Sequence, residues 1–159
     1  TWIDKAQVDL GFGSAPDLSL LTTAEGKRIL VHFGLPVNTV VKTATLYFHI
    51  SAADAGLQVY IFGLTGNGPF SEAQSTWNQK NSITPWSTPG GDYDLSRVVI
   101  FEPTISGCWI SLDMTDFVKE WAATPAKNQG LILIARGPDG LSATISSKES
   151  TNAPRLEIK

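Results

Sequence analysis

The chain has 159 residues, of which 42% are hydrophobic and 17% are charged, so we expect one folded domain over residues 1–159, and the composition disfavours a disordered chain and a coiled coil. The net charge of −3 gives no basic footprint for nucleic acid or an anionic membrane, and no apolar run approaches the roughly 18 residues of a membrane span. The single cysteine, Cys108, excludes an intrachain disulfide and a cysteine-built zinc site.

The two ends of the chain carry an expectation about its context. The chain opens at Thr1 without an initiator methionine, which is typical of a processed or excised module. We expect both termini to be held in strands or in an assembly, because loose ends are normally disordered.

Period-two alternation of apolar and polar residues marks the predicted strands. It is clearest at residues 43–50, where Ala44, Leu46, Phe48 and Ile50 share one face. Further strands are predicted at 29–33, 57–62, 98–101, 108–112, 131–135, 143–147 and 156–158. Turn residues separate the strands at 67–69, 89–92, 137–140 and 152–154.

Residues 65–97 form the longest irregular stretch of the sequence. Loops longer than about 12–15 residues in a compact domain are usually functional or partly structured. We therefore expect a contact surface of the protein to lie here.

One helix is predicted near residues 114–123. Asp113 offers a capping side chain at its start, and Phe117 and Trp121 lie on one apolar stripe. Pro125 ends the pattern. We expect the helix to close one end of the strands and to bury both aromatic rings.

Eight or nine short strands with one helix predict an all-β fold. The favoured architecture is an antiparallel β-sandwich with jelly-roll-like connections. A closed barrel is the main alternative, since periodicity does not distinguish the two.

The sequence contains few features of an enzyme. Its two histidines, His32 and His49, lie in separate predicted strands, and no nucleophile elbow, zinc-binding helix motif or phosphate loop occurs. Cys108 lies in an apolar strand, where an inert buried thiol is the simpler interpretation. We predict that the protein is not an enzyme and requires no cofactor.

Five tryptophans are the distinctive feature of the composition. An indole ring either anchors a core or offers a flat apolar surface on which a sugar can stack. We expect Trp77, Trp109 and Trp121 to lie in the core. Trp86 lies in a polar loop between prolines, where burial and exposure remain equally open.

Asp92 and Asp94 flank Tyr93 in a glycine-rich turn. Carboxylates so placed can supply oxygen ligands to calcium, which takes about six to eight of them. A solvated turn explains the same residues, so the two carboxylates are only weak candidates for a structural calcium site.

Several motifs, taken in order, resemble a known family. They are Ser75-Thr76-Trp77-Asn78-Gln79, Trp86 with Gly90-Gly91-Asp92, the run from Trp109 to Val118 with Trp121, Asn128-Gln129-Gly130-Leu131, Ser146-Ser147-Lys148-Glu149-Ser150, and Pro154-Arg155-Leu156. This series is similar to the DNRLRE-type β-sandwich domains of secreted proteins, which include a carbohydrate-binding module family found beside alginate-active enzymes. The chain departs from that pattern at His32 and Gly34, where such domains tend to have Arg and Asp.

The resemblance implies an extracellular, non-catalytic module that binds a polysaccharide or a cell-surface glycan. The expected site has Trp86 and Tyr93 stacking on sugar rings, with hydrogen bonds from Asp92, Asp94 and Arg97. The alternative is a structural subunit of an extracellular filament or surface layer, in which residues 1–10 add a strand to the sheet of another copy. A third hypothesis is an adhesin domain stabilised by calcium at Asp92 and Asp94.

Overall fold

The computed structural model describes residues 1–22, 26–66 and 68–159. Within them lie ten strands, one α-helix and two short 3₁₀ turns. The strands are β1 (Trp2–Asp4), β2 (Asp17–Leu21), β3 (Lys27–Val31), β4 (Ala44–Ala53), β5 (Gln58–Gly63), β6 (Val99–Phe101), β7 (Cys108–Asp113), β8 (Leu131–Arg136), β9 (Ser142–Ser146) and β10 (Arg155–Ile158). Helix α1 spans Thr115–Ala123, and the 3₁₀ turns are Lys5–Gln7 and Pro125–Lys127.

The strands form one antiparallel, curled sheet. Its order is β10-β4-β9-β2-β3-β8-β5-β6, with β1 paired to β3 and β7 paired to β4. A single residue pair, Leu21 with Lys27, joins β2 to β3, so this junction is where the sheet turns from one layer to the other. In the described part of the chain β6 and β7 each pair with one neighbour. These free edges favour a sandwich over the closed barrel.

The main core lies between the two layers. Every second residue of β4 points into it, from Ala44 to Ile50, as the alternation predicts. From the other layer come Ile29, Leu131 and Leu133. The residues between these therefore face outward on opposite sides of the sandwich. We call the outer side of β3, β5 and β8 the groove face, and the outer side of β4, β7 and β10 the open face.

Helix α1 closes one end of the main core. Phe117 and Trp121 are both buried there, as predicted. At the start of the helix the backbone N–H of Thr115 donates to Asp113 Oδ1 at 2.9 Å, and the hydroxyl of Thr115 accepts from the N–H of Ala44 at 3.0 Å. The first bond caps the helix locally, and the second joins its start to the first residue of β4.

The eight predicted strands all exist, and the all-β sandwich prediction is confirmed. The alternation marked neither β1 nor β2, but the expectation that both termini are held in strands is confirmed by β1 and β10. Asn67, in the predicted turn at 67–69, lies outside the described residues. No helix in the described ranges is long and apolar enough to cross a membrane.

The N-terminal strand lies in the sheet of its own chain. Trp2, Ile3 and Asp4 pair with Ile29, Arg28 and Lys27 of β3, and the side chain of Ile3 is fully buried. The segment that the filament hypothesis assigns to another copy is thus used within the molecule, and that hypothesis gains no support.

Candidate functional site

The long loop between β5 and β6 covers much of the groove face. Its tryptophans lie against the outward-facing residues of the sheet and form a second core there. The members of this core are Ile3, Leu30, Phe62, Leu64, Trp77, Trp86 and Ile132. The irregular stretch is therefore a structured cover of the sheet.

Trp86 is part of this cover. Only 4% of its surface is exposed, and its indole N–H donates to the carbonyl of Thr76 at 3.1 Å. A buried ring with a satisfied N–H anchors the loop. Its face is not available for a sugar, so the expectation that Trp86 stacks on a ligand does not fit its position.

Two glycines bring the end of the loop against the sheet. Gly90 has φ of +94°, and a Cβ there would lie 2.7 Å from Cζ2 of Trp77; a Cβ at Gly91, with φ of +107°, would lie 2.9 Å from Cδ1 of Ile132. Both positions therefore require glycine. The close approach also lets the carbonyl of Gly90 accept a hydrogen bond from Arg28 Nη1 at 2.8 Å.

The carboxylates of Asp92 and Asp94 organise their own turns. Asp92 accepts from the backbone N–H groups of Ser87 and Thr88, both at 2.8 Å. Asp94 accepts from the N–H and the hydroxyl of Ser96, both at 2.8 Å, and the first of these bonds is the main cause of a lowered pKa of Asp94. No group of three or more His, Cys, Asp or Glu among the described residues is arranged to hold a metal. Calcium binding at these two residues stays a prediction.

Beyond Trp77 the groove face is open to solvent and forms a groove of about 270 Å³. Arg28, Ile134 and Tyr60 are neighbours in register on β3, β8 and β5. The guanidinium carbon of Arg28 lies 4.8 Å from the ring centroid of Trp77 and 5.9 Å from that of Tyr93. The loop thus supplies one wall and the sheet supplies the floor.

Tyr60 and Arg136 extend this surface along the sheet. The guanidinium carbon of Arg136, an exposed residue, lies 4.9 Å from the ring centroid of Tyr60. The Tyr60 hydroxyl lies 3.3 Å from Oε1 of Gln58. Tyr60 and Tyr93 are both half-buried, so each ring is fixed in place and still partly accessible.

The groove carries positive charge in a chain whose net charge is negative. Its lining includes Lys5, Lys27, Arg28 and Arg136, and no Asp or Glu among the described lining residues. Nζ of Lys27 lies 3.8 Å from the buried carboxylate of Asp4. Burial lowers the pKa of Arg28, yet a guanidinium remains charged throughout the physiological range.

Asp94 and Arg97 line a separate cleft of about 210 Å³ beside α1. Arg97 Nη1 donates to Oε2 of Glu120 at 2.9 Å and to the carbonyl of Asp116 at 3.0 Å. Lys127 binds the other oxygen of Glu120, and this hydrogen bond is the main cause of the lowered pKa of Glu120.

A shallow depression links this cleft to the groove. Tyr93 lines both the groove and the depression, and Thr65 lines both the depression and the cleft. The buried Oε1 of Gln129, in the wall of the cleft, has no hydrogen-bond partner among the described residues. Four of the five predicted site residues, Asp92, Tyr93, Asp94 and Arg97, thus line these adjoining surfaces, whereas Trp86 is buried.

The sequence reading missed Arg28, Tyr60 and Arg136. The outward positions of β5 and β8 were a usable signal, because Tyr60 and Arg136 alternate with the core residues of their strands. The prediction from the sequence that Trp109 lies in the core is wrong. Trp109 is 41% exposed on the open face, on the same side of β7 as Ser111.

The two histidines do not form one site. His32 is exposed and lines a cleft with Glu72, whereas Nδ1 of His49 lies 3.1 Å from the hydroxyl of Ser146. Cys108 is half-buried, and its thiol donates to the carbonyl of Ile105 at 3.1 Å.

One family model, described as carbohydrate-binding module family 96, matches residues 1–159. The chain belongs to this family. A carbohydrate-binding module is generally non-catalytic, which agrees with the prediction that the protein is not an enzyme. No curated protein matches the chain significantly.

Proposed function

We propose that this protein is an extracellular, non-catalytic module that binds an acidic polysaccharide of the alginate type through the groove. The observation that carries the proposal is that Arg28 lies beside Tyr93 and Arg136 beside Tyr60, at a groove whose described lining contains no Asp or Glu. Family membership supports a carbohydrate as the ligand. The charge of the groove supports a ligand with carboxylate groups.

The chemistry of the groove suits a chain of uronic acids. Each sugar carries a carboxylate, which a guanidinium binds with two parallel hydrogen bonds. The C–H face of the sugar ring is apolar and stacks on an aromatic ring. Arg136 with Tyr60, and Arg28 with Tyr93, each offer both contacts side by side.

Asp92, Asp94 and Arg97 have a place in this proposal further along the same path. A long polymer that leaves the groove past Tyr93 crosses the depression lined by Asp92 and Thr65 and reaches the cleft with Asp94 and Arg97.

Affinity electrophoresis in gels that contain alginate or polygalacturonate tests the proposal. Loss of one charged hydrogen-bonding partner costs about 1.5–3 kcal/mol, so Arg136→Ala should weaken binding by roughly tenfold or more. Arg136→Lys keeps the charge but loses the planar fork and should be intermediate. Lys119→Ala removes an exposed charge from α1 and is the matched control.

Salt provides the second measurement. Binding to a polyanion should weaken as salt concentration rises, because the charges are near the surface and are screened, and Arg136→Ala should reduce that dependence. Wild-type protein that neither polyanion retards would overturn the acidic ligand. Equal retardation of the Arg136→Ala and Lys119→Ala variants would overturn the groove as its site.

A further inference from the structure

The open face carries a second group of aromatic and polar side chains, far from the groove face in the topology of the sheet. Its members are Tyr47 and His49 on β4, Trp109 on β7, and Arg155 and Glu157 on β10. In register, Trp109 is opposite His49 and Arg155 is opposite Tyr47. All five face outward, because the residues between them belong to or pack against the main core.

Two neighbouring side chains, His49 and Arg155, contact Trp109 and hold its ring in position. The rings of His49 and Trp109 are inclined at 68°, with their centroids 5.5 Å apart. The guanidinium carbon of Arg155 lies 5.1 Å from the centroid of Trp109 and 4.6 Å from that of Tyr47. The indole nevertheless keeps 41% of its surface exposed. A fixed and accessible aromatic ring binds a ligand at little cost in side-chain entropy.

The hydrogen bonds beneath the rings are also fixed. Nδ1 of His49 and the hydroxyl of Ser51 both lie 3.1 Å from the buried hydroxyl of Ser146. Oε2 of Glu157 accepts from the hydroxyl of Tyr47 at 3.4 Å. His49 and Tyr47 are therefore held by hydrogen bonds as well as by packing.

The charges of this face cancel locally. Nε of Arg155 lies 3.6 Å from Oε1 of Glu157, and the next acid, Asp113, is exposed at the end of β7. A face without net positive charge offers nothing to a polyanion. It does offer an apolar ring surrounded by hydrogen-bond donors and acceptors, which is what an uncharged polyhydroxylated chain requires.

A second copy of the chain fits this face less well. Stable interfaces between copies have an apolar centre that is depleted of charged residues. Here the neighbours of Trp109 are His49, Ser111 and the charged pair Arg155 and Glu157. The surface around Trp109 that another copy could bury is therefore mostly polar.

We propose that the open face is a second carbohydrate-binding surface, distinct from the groove, and that its ligand is an uncharged polysaccharide. The sugar ring stacks on the exposed part of Trp109. The Nη groups of Arg155 donate to its hydroxyls, and Glu157 accepts from them. The two sites share no residues. Because the groove is cationic and the open face is not, we expect them to bind different polymers.

Affinity electrophoresis in gels with hydroxyethyl cellulose, laminarin or galactomannan, beside an alginate gel, tests this inference. Wild-type protein should be retarded by at least one of the neutral polymers. Trp109→Ala should weaken that binding roughly tenfold, since one stacking contact is lost, and Trp109→Phe should weaken it less. Both variants should keep the alginate affinity, whatever its value.

A second variant guards against loss of folding, and sedimentation velocity measures whether the chain forms a dimer through the open face. Arg155→Ala should also lose neutral-polymer binding, and it tests the site if Trp109→Ala proves unstable. No retardation by any of the three neutral polymers, or equal retardation of wild type and both alanine variants, would overturn the proposal. A dimer that Trp109→Ala dissociates, without neutral-polymer binding, would overturn it in favour of a second copy. Failure on alginate alone would contradict only the proposal for the groove.

Discussion

The two outer faces of the sandwich arise from the same alternation of side chains, yet they differ in what covers them. On the groove face the loop between β5 and β6 supplies Trp77 and Trp86 to a second core and leaves a cationic groove. On the open face no such cover lies over β4 and β7 in the described residues, and Trp109 remains exposed.

The role of an indole ring in this protein depends on its tertiary surroundings. Trp86 lies in a loop rich in proline and polar residues, and it is buried because the loop folds back onto apolar outward residues such as Ile132. Trp109 lies in a strand, and it is exposed because its position in the alternation of β7 points away from the core. Neither outcome follows from how apolar the local sequence is.

The largest effect that separates the two faces is on stability. Trp86→Ala should lower the free energy of unfolding by about 3–5 kcal/mol, as expected for a large aromatic removed from a core. Trp109→Ala should cost about 1 kcal/mol, because much of the ring is already in water. Urea denaturation of both variants measures the difference. Equal losses would contradict the assignment of Trp86 to the second core.

A smaller effect is expected from the glycine that lets the loop approach the sheet. Gly90→Ala adds a Cβ against Trp77 at a positive φ, whereas Gly140→Ala, with φ of +88°, meets nothing within 4 Å. The control should cost about 1–2 kcal/mol from backbone strain alone. Gly90→Ala should cost that much plus the steric clash, by the same denaturation assay. If the Gly90→Ala variant is no less stable than the Gly140→Ala variant, the loop can move to accommodate the added Cβ, and close contact at Gly90 is not required.

The ion pairs beside α1 should give a modest dependence on pH. The pKa of Glu120 is lowered below its ordinary value of 4.5 by Lys127 and then by Arg97. Its contribution to stability is therefore present above about pH 4.5 and is lost as the pH falls through the lower folded pKa. Because the group is partly exposed, Glu120→Gln should cost no more than about 1 kcal/mol at pH 7.

That cost should disappear at low pH. Chemical denaturation of wild type and Glu120→Gln at pH 7 and at about pH 2.5 gives the two differences. A difference that is the same at both values would mean that the charge of Glu120 does not stabilise the fold.

The smallest effect concerns calcium, for which Asp92 and Asp94 are only weak candidates. Their carboxylates already accept two hydrogen bonds each, so we expect the Tm to change by less than about 1 °C between EDTA and millimolar calcium. Ligand binding would raise the Tm in proportion to its occupancy. An increase of several degrees, lost in Asp92→Asn, would instead establish the calcium site.

The sequence predicts the layers of this molecule better than the cover on them. Strict alternation made β4 and its neighbours predictable, whereas β1 has only three residues and pairs by position rather than by pattern. The loop has no period, so its contact with Leu30 and Ile132 depends on tertiary structure alone. The error on Trp109 was avoidable, because Trp109, Ser111 and Asp113 share one parity of β7 while Ile110 and Leu112 share the other.

The groove also could not be predicted from local sequence patterns. Arg28, Tyr60 and Arg136 come from three strands that are distant in sequence, and only the register of β3, β5 and β8 brings them together. Tyr93, which also lines the groove, is a predicted site residue because it lies in the long irregular loop. A site shared between a loop and a sheet is therefore only half predictable from the chain.

The binding of an acidic polysaccharide in the groove is tested most directly by a ¹⁵N–¹H NMR titration with an oligoguluronate of defined length. Binding in the groove predicts that the amide signals of Arg28, Tyr60, Tyr93 and Arg136 shift with ligand, while those of residues 45–49 on the open face do not. Shifts confined to the open face or to α1, with the groove signals unmoved, would contradict it.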